Sequence, residues 1–251
     1  ASGELVEDVT IQNSILAEGL WPHSKGFLGC NGDGTICRRI TSYRNLYALN
    51  RDRNPNIDMT DSVFEMYENV AYGAYSEYAE IFDSAGGSLV NIVNNYFKNA
   101  SFGNTTCAIV YHPETGPATA RIYAAGNQID GVPCLANAAA RAVLAAAPVV
   151  PLPAGLAGAA AAYAGVLQEA GAWPRDAADA RIVRHVANRT GTIPDAPTGY
   201  PALANGVPYP DADRDGMSDT WEVSVGLDPA NAVDRNAAPI AHSPAAASSR
   251  I

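Results

Sequence analysis

Six cations crowd one short stretch of an acidic chain. Between Trp21 and Asn56 lie Lys25, Arg38, Arg39, Arg44, Arg51 and Arg53, opposed only by Asp33 and Asp52, a local excess of +4 where the whole protein carries −10. Such a patch raises the local concentration of an anionic ligand, and Lys25, Arg51 and Arg53 are its candidate site residues. The bland alternative is a solvated basic face. At a pI near 4.7 nucleic acid is not the expected anion.

A second site is written in residues 211–222, DADRDGMSDTWE. Calcium takes six to eight oxygens, and a twelve-residue loop supplies them from positions 1, 3, 5, 7, 9 and 12 around a glycine at 6. Those positions are Asp211, Asp213, Asp215, the Met217 carbonyl, Asp219 (directly or through water) and a bidentate Glu222, with Gly216 at the turn. Carboxylates held this close repel one another unless a cation bridges them, so Ca2+ is expected in a structural role. The following GLDPANAVD, 226–234, can turn back towards the ion.

Four cysteines form two local pairs, Cys30–Cys37 and Cys107–Cys134. An even count, in a chain whose lysines stand only at 25 and 98, leans towards an oxidising compartment, secreted or periplasmic. The Cys30–Cys37 spacing matches no common zinc site. Sequons stand at Asn99, Asn104 and Asn188. No apolar run reaches the roughly 18 residues of a membrane-spanning helix, so no membrane partner is expected. A composition of 47% hydrophobic and 17% charged residues is that of a globular chain.

The elements that must position these groups repeat. Apolar, β-branched segments recur at 9–16, 40–49, 63–72, 89–97 and 120–129, each crossing an asparagine: Asn13, Asn45, Asn69, Asn95 and Asn127. Two places after each comes Ile15, Tyr47, Ala71, Phe97 or Ile129. Strands repeating without intervening helices fit a solenoid, and stacked asparagines can form a ladder between its coils. A sandwich, whose strands come more closely spaced, is the alternative. The spacing predicts residues 1–134 as coils, with 17–37, 50–60 and 98–118 as loops leaving the stack. Residues 135–191 follow as an alanine- and proline-rich covering segment, with helices near 135–146, 155–168 and 174–188, the last opened by Pro174 at its first position. A linker at 192–210, the calcium-loop module at 211–235 and a loose tail at 236–251 complete the chain.

The order of these pieces resembles the pectate lyase family. The matching stretches are DVTIQNSILAEGL (8–20), HSKGFLG (23–29), RNLYALNRDRNP (44–55), the VNNYF and YAAGN segments, AGAWPRDAADARIVRHVANRTG (170–191) and the acidic loop after 210. The resemblance implies an all-β fold, a right-handed parallel β-helix, and cleavage of polygalacturonate by calcium-assisted β-elimination. By position it makes Arg53, in Arg53-Asn54-Pro55, the catalytic base, and Lys25 a holder of substrate carboxylate; Arg51 joins it through proximity. Two features depart from the family: Tyr43-Arg44 replaces a histidine pair, and no second arginine follows Pro55. The family's catalytic calcium carboxylates come from earlier coils, and residues 1–60 hold no equivalent cluster. A companion chain or further coils would supply them; otherwise the protein is a noncatalytic uronate-binding or extracellular surface module. A β-helix glycoside hydrolase would need a pair of carboxylates flanking the bond, and no such pair is evident in the strands.

Overall fold

The computed structural model describes residues 4–30, 35–103, 105–114, 118–197, 199 and 206–236. Asp33, the Asn104 sequon, part of the linker and the tail from 237 lie outside them. The chain divides into two compact units, Ala1–Pro201 and Ala202–Ile251.

The first unit is a right-handed parallel β-helix of about 4 turns. Its first coil runs through β1 (Leu5–Gln12), β2 (Ile15–Ala17) and β3 (Leu28–Gly29), and its second through β4 (Ile36–Tyr43), β5 (Leu46–Ala48) and β6 (Asn56–Ile57). The third has β7 (Val63–Tyr67), β8 (Val70–Tyr72) and β9 (Ala79–Phe82); the fourth has β10 (Leu89–Val93), β11 (Tyr96–Lys98) and β12 (Cys107–His112). A shorter last coil holds β13 (Arg121–Ala125), β14 (Gln128–Ile129), β15 (Val132–Pro133) and β16 (Leu135–Ala136). Stacking gives three sheets, in the orders β1-β4-β7-β10-β13, β15-β14-β11-β8-β5-β2 and β16-β12-β9-β6-β3. All pairings are parallel except β14 with β15.

Each long apolar segment of the sequence is therefore two strands meeting at a corner. Three strands of the third sheet lie inside the expected loops: β3 within 17–37, β6 within 50–60 and β12 within 98–118. Two-residue strands such as β3 and β6 are too short to show a period. The interior is filled by Tyr47, Phe64, Tyr78, Ile81, Ile92, Phe97 and Ile122, all buried. Each removes enough apolar surface from water to contribute about 1.5–3 kcal/mol.

At the corner between the first and second sheets, four asparagines form a buried ladder. The Asn45 side-chain amide donates to Asn69 Oδ1 at 3.2 Å, Asn69 to Asn95 Oδ1 at 3.0 Å, and Asn95 to Asn127 Oδ1 at 3.0 Å. Asn13 is not a rung: the Ser14 backbone N–H donates to Asn45 Oδ1 at 3.0 Å, so Ser14 stacks beneath Asn45. Asn13 belongs to the preceding column, with Arg44, Glu68, Asn94 and Gly126, all in left-handed backbone. Leu16, not Ile15, consequently stacks below Tyr47. Asparagine tolerates left-handed backbone better than most residues, so both columns accept it and the sequence alone misaligns the first coil by one residue.

Helices α1 (Ala138–Ala142), α2 (Ala159–Glu169) and α3 (Ala177–Asn188) follow the coils in the same unit. Pro174 is not the first residue of α3; Asp176 caps the helix, accepting the Asp179 N–H at 2.9 Å. Val166 of α2 and Ile182 and Val186 of α3 cover the outer face of the second sheet, joining Leu46, Ala48, Val70 and Tyr72 in one apolar cluster. Arg181 of α3 forms a bidentate pair with Glu18 of the first coil.

The second unit is described from 206 to 236 and consists of an acidic loop, α4 (Asp219–Val225) and a 3-10 turn at Asp234–Asn236. Ser218 caps α4, and Gly226, at φ 81°, ends it in the left-handed conformation a side chain would disfavour.

Candidate functional site

The three candidate cations meet where two coils enter the third sheet. Residues 24–27 run beside 51–54: the Arg51 N–H donates to the Ser24 carbonyl at 3.0 Å, and the Gly26 N–H donates to the Arg53 carbonyl at 3.1 Å. The approach is close enough to require glycine at 26, where a Cβ would lie 2.9 Å from Tyr47 Cδ1 and against Asn54 Oδ1. Asn50 pins the turn, accepting the Gly19 N–H at 2.8 Å and donating to Asn54 Oδ1 at 2.9 Å.

Each cation has a different partner. Lys25 is bridged to Asp52 and forms an ion pair with it, both side chains about one-fifth exposed. Arg51 is exposed and lies between two rings, 4.9 Å from the centroid of Trp21 and 5.3 Å from that of Tyr75. Arg53 sits in left-handed backbone at φ 55°, a strained conformation for a residue with a side chain. Its N–H is held by Glu80 Oε1 at 3.2 Å, its Nε lies 3.6 Å from Glu80 Oε2, and its guanidinium covers the Phe82 ring at 5.4 Å.

Glu80 of β9 organises this corner, although no local motif marks it. It is 5% exposed. His112 of β12 places Nε2 3.6 Å from the same Oε2 and stacks on Phe82 at 4.8 Å. The His112 imidazole is held above its ordinary pKa, first by its interaction with Glu80 and against the effect of burial. Glu77, Glu80 and His112 offer ligand-type atoms within 4.8 Å of one another. A divalent cation does not fit there, because Glu80 already faces the Arg53 guanidinium and holds its N–H. Solenoid spacing is the one signal that could have found Glu80, since it stands 27 residues after Arg53, about one coil.

The cysteines divide. Cys30 and Cys37 are joined by a disulfide. The second expected pairing is corrected: Cys107 and Cys134 carry free thiols. Cys107 stands opposite Leu135 on the neighbouring strand, so Cys134 is one step out of register. Burial pushes the Cys134 thiol up to about 12.

In the second unit, Asp211, Asp213 and Asp215 place carboxylate oxygens within 4.8 Å of one another. Asp211 accepts the N–H groups of Asp215 and Gly216 at 3.2 and 3.1 Å, and Asp215 accepts that of Met217 at 2.8 Å. Glu222 is fully buried and neither of its oxygens has a hydrogen-bond partner. Burial first, then Asp213, Asp215, Asp234 and Asp219, push its carboxyl above the ordinary range. Burying a carboxylate without a partner is costly, and a hard cation satisfies such oxygens. Asp219 accepts the Ala212 N–H at 2.8 Å through Oδ1 and belongs to neither group of clustered carboxylates.

Comparison with known proteins adds a consistent finding. A protein of Aspergillus fumigatus named probable pectate lyase C is 33% identical over 241 residues, covering 88% of this chain and 54% of the relative. The chain is thus similar in sequence to a protein named as a pectate lyase, and its own coils form a parallel β-helix. A Neosartorya fischeri protein of the same name is 32% identical with the same coverage. One from Aspergillus terreus is 40% identical over 92 residues, 36% of this chain and 20% of the relative. The chain spans about half the length of the curated relatives it matches most extensively. No family model matches it.

Proposed function

We propose that the third-sheet surface of this pectate lyase-like protein binds polygalacturonate, and that the complete enzyme cleaves it by β-elimination. In that reaction a base removes the C5 proton of a uronate and the C4 glycosidic oxygen departs, leaving a double bond between C4 and C5. Arg53 is the base; Lys25 and Arg51 hold uronate carboxylates. Arg53 must be neutral to accept the proton, and a guanidinium is ordinarily charged, so the reaction should require alkaline conditions. A Ca2+ on the uronate carboxylate would make the C5 proton easier to remove. Among the described residues, none of the metal-ligand groups near Arg53 suits that ion. Its carboxylates would come from further coils or a companion chain, for which exposed Leu5, Val6 and Leu28 at the edge strands β1 and β3 offer apolar surface. The Cys30–Cys37 bridge supports a secreted protein. Residues 211–222 form a separate, structural calcium site.

The observation that carries the reading is that Lys25, Arg51 and Arg53 stand on two hydrogen-bonded segments that lead side by side into the third sheet. Ultraviolet absorbance of unsaturated product, from polygalacturonate with calcium in alkaline buffer, tests it. The complete enzyme, with those calcium carboxylates supplied, should form product; chelator should stop it, and Arg53→Ala should abolish it. Calcium-dependent product from Arg53→Ala would remove the base assignment.

A specific observation favours a second reading, a noncatalytic uronate-binding module: Lys25 and Arg53 each already face a carboxylate, Asp52 and Glu80. Binding of polygalacturonate without product would establish it.

A further inference from the structure

The loop 211–222 reaches only part of its own acidic centre. Asp215, Glu222 and Asp234 offer carboxylate oxygens that all lie within 4.8 Å of one another, and Asp215 belongs equally to the group formed with Asp211 and Asp213. The two groups therefore share a member and describe one centre. Asp234 enters it from the far end of α4, beyond the Gly226 cap, at the start of the 3-10 turn.

Its carboxylate is oriented. The Asp228 N–H donates to Asp234 Oδ2 at 2.9 Å, while Oδ1 is buried with no hydrogen-bond partner. Asp213 Oδ2, Asp215 Oδ2 and both oxygens of Glu222 are in the same condition. Five buried acceptors on four carboxylates, none with a donor, are what a hard divalent cation satisfies. Asp219 differs: its Oδ1 takes the Ala212 N–H and it joins neither acidic group, whereas Asp211, whose oxygens also take backbone N–H groups, lies within 4.8 Å of Asp213 and Asp215.

We propose that Asp234 is a direct ligand of a divalent cation, calcium-like in its preference for oxygen, held by Asp211, Asp213, Asp215 and Glu222, and that Asp219 is not. The proposal rests on reading 211–222 as a cation loop and extends it to a site closed from both ends of α4. With the Met217 carbonyl and both Glu222 oxygens, the set offers about seven oxygens, within calcium's usual range. The ion then fastens the 226–236 segment to the loop, so that binding orders a longer stretch than the loop itself.

Calorimetric titration of calcium chloride into the chelator-stripped full chain tests this, using wild type, Asp234→Asn and Asp219→Asn. Asp234→Asn keeps the size of the side chain and its bond from Asp228, but removes a negative ligand. It should weaken binding about tenfold or more, while Asp219→Asn should stay within about threefold of wild type, since affinity follows the charge and number of ligands. Terbium luminescence sensitised by Trp221, next to Glu222 in the chain, gives a second readout. Lifetimes in light and heavy water should show about one more coordinated water in Asp234→Asn, replacing the lost ligand. Wild-type affinity and water count in Asp234→Asn would overturn the Asp234 assignment alone. A loss in Asp219→Asn as large as that in Asp234→Asn would overturn the exclusion of Asp219. No calcium uptake by wild type would overturn the cation-loop reading, and this proposal with it.

Discussion

Replacing Asn69 by alanine tests whether the asparagine ladder holds the coils that carry the site. Asn69 is fully buried. Its Oδ1 accepts the Asn45 backbone N–H at 2.9 Å and the Ser42 hydroxyl at 3.0 Å. Its amide donates to the carbonyls of Ser42 at 2.9 Å and Tyr67 at 3.0 Å, and to Asn95 Oδ1 at 3.0 Å. Alanine leaves the Asn45 N–H buried without an acceptor, which alone costs about 1–3 kcal/mol; the other lost bonds bring the total to about 3–5 kcal/mol. Asn127 ends the ladder and is 9% exposed. It supports the Asn95 N–H at 2.9 Å and donates to the Ile92 carbonyl at 2.7 Å, and water can reach part of what its removal frees. Its alanine variant should lose about 1–3 kcal/mol. Asn69→Asp, of nearly equal size, should do no better than alanine, because it buries a charge and cannot donate. Equilibrium urea unfolding, with unchanged slope as the check on two-state behaviour, measures all three. If Asn69→Ala costs no more than Asn127→Ala, the ladder is decoration on a stack held by its apolar interior, and the reasoning fails.

The other expectations are smaller in scope. His112 is held above its ordinary pKa by Glu80, so the pair's contribution to stability is complete below about pH 6.5 and disappears as pH rises through the raised value. With His112 40% exposed at its side chain, that contribution should be under about 1 kcal/mol. An NMR titration of the imidazole should show the elevation, and Glu80→Gln should return it towards normal; an unchanged midpoint would separate the two groups. Reducing Cys30–Cys37, or replacing Cys30 by serine, opens a short loop with a sequence separation of 7 and should cost about 2.5 kcal/mol by chain entropy. Urea unfolding with and without reductant reads that loss. Calcium at about a hundredfold over its dissociation constant should stabilise the second unit by about 2.7 kcal/mol; a melting transition insensitive to calcium would count against the site.

The pattern of apolar residues predicts the architecture, and the residue types predict the kinds of chemistry. Alternating apolar residues broken by asparagine at intervals of 24 to 32 favour stacked coils, because a solenoid brings such distant, similar segments side by side and sandwich strands come more closely spaced. The spacing of Asp211, Asp213, Asp215 and Glu222 specifies an oxygen-rich centre, because all the ligands come from one local turn. What required the tertiary structure is the register of the ladder and the partnerships of the site residues. Ser14, not Asn13, stands under the ladder because side-chain hydrogen bonding sets the register, and both positions accept asparagine. Glu80 and His112 reach Arg53 because β6, β9 and β12 stack, and strands of two to six residues leave no periodic trace to predict it. The return of GLDPANAVD towards the ion is expected from the sequence, but that Asp234 is the residue that joins the acidic centre follows from where α4 ends at Gly226 and how the backbone turns after it.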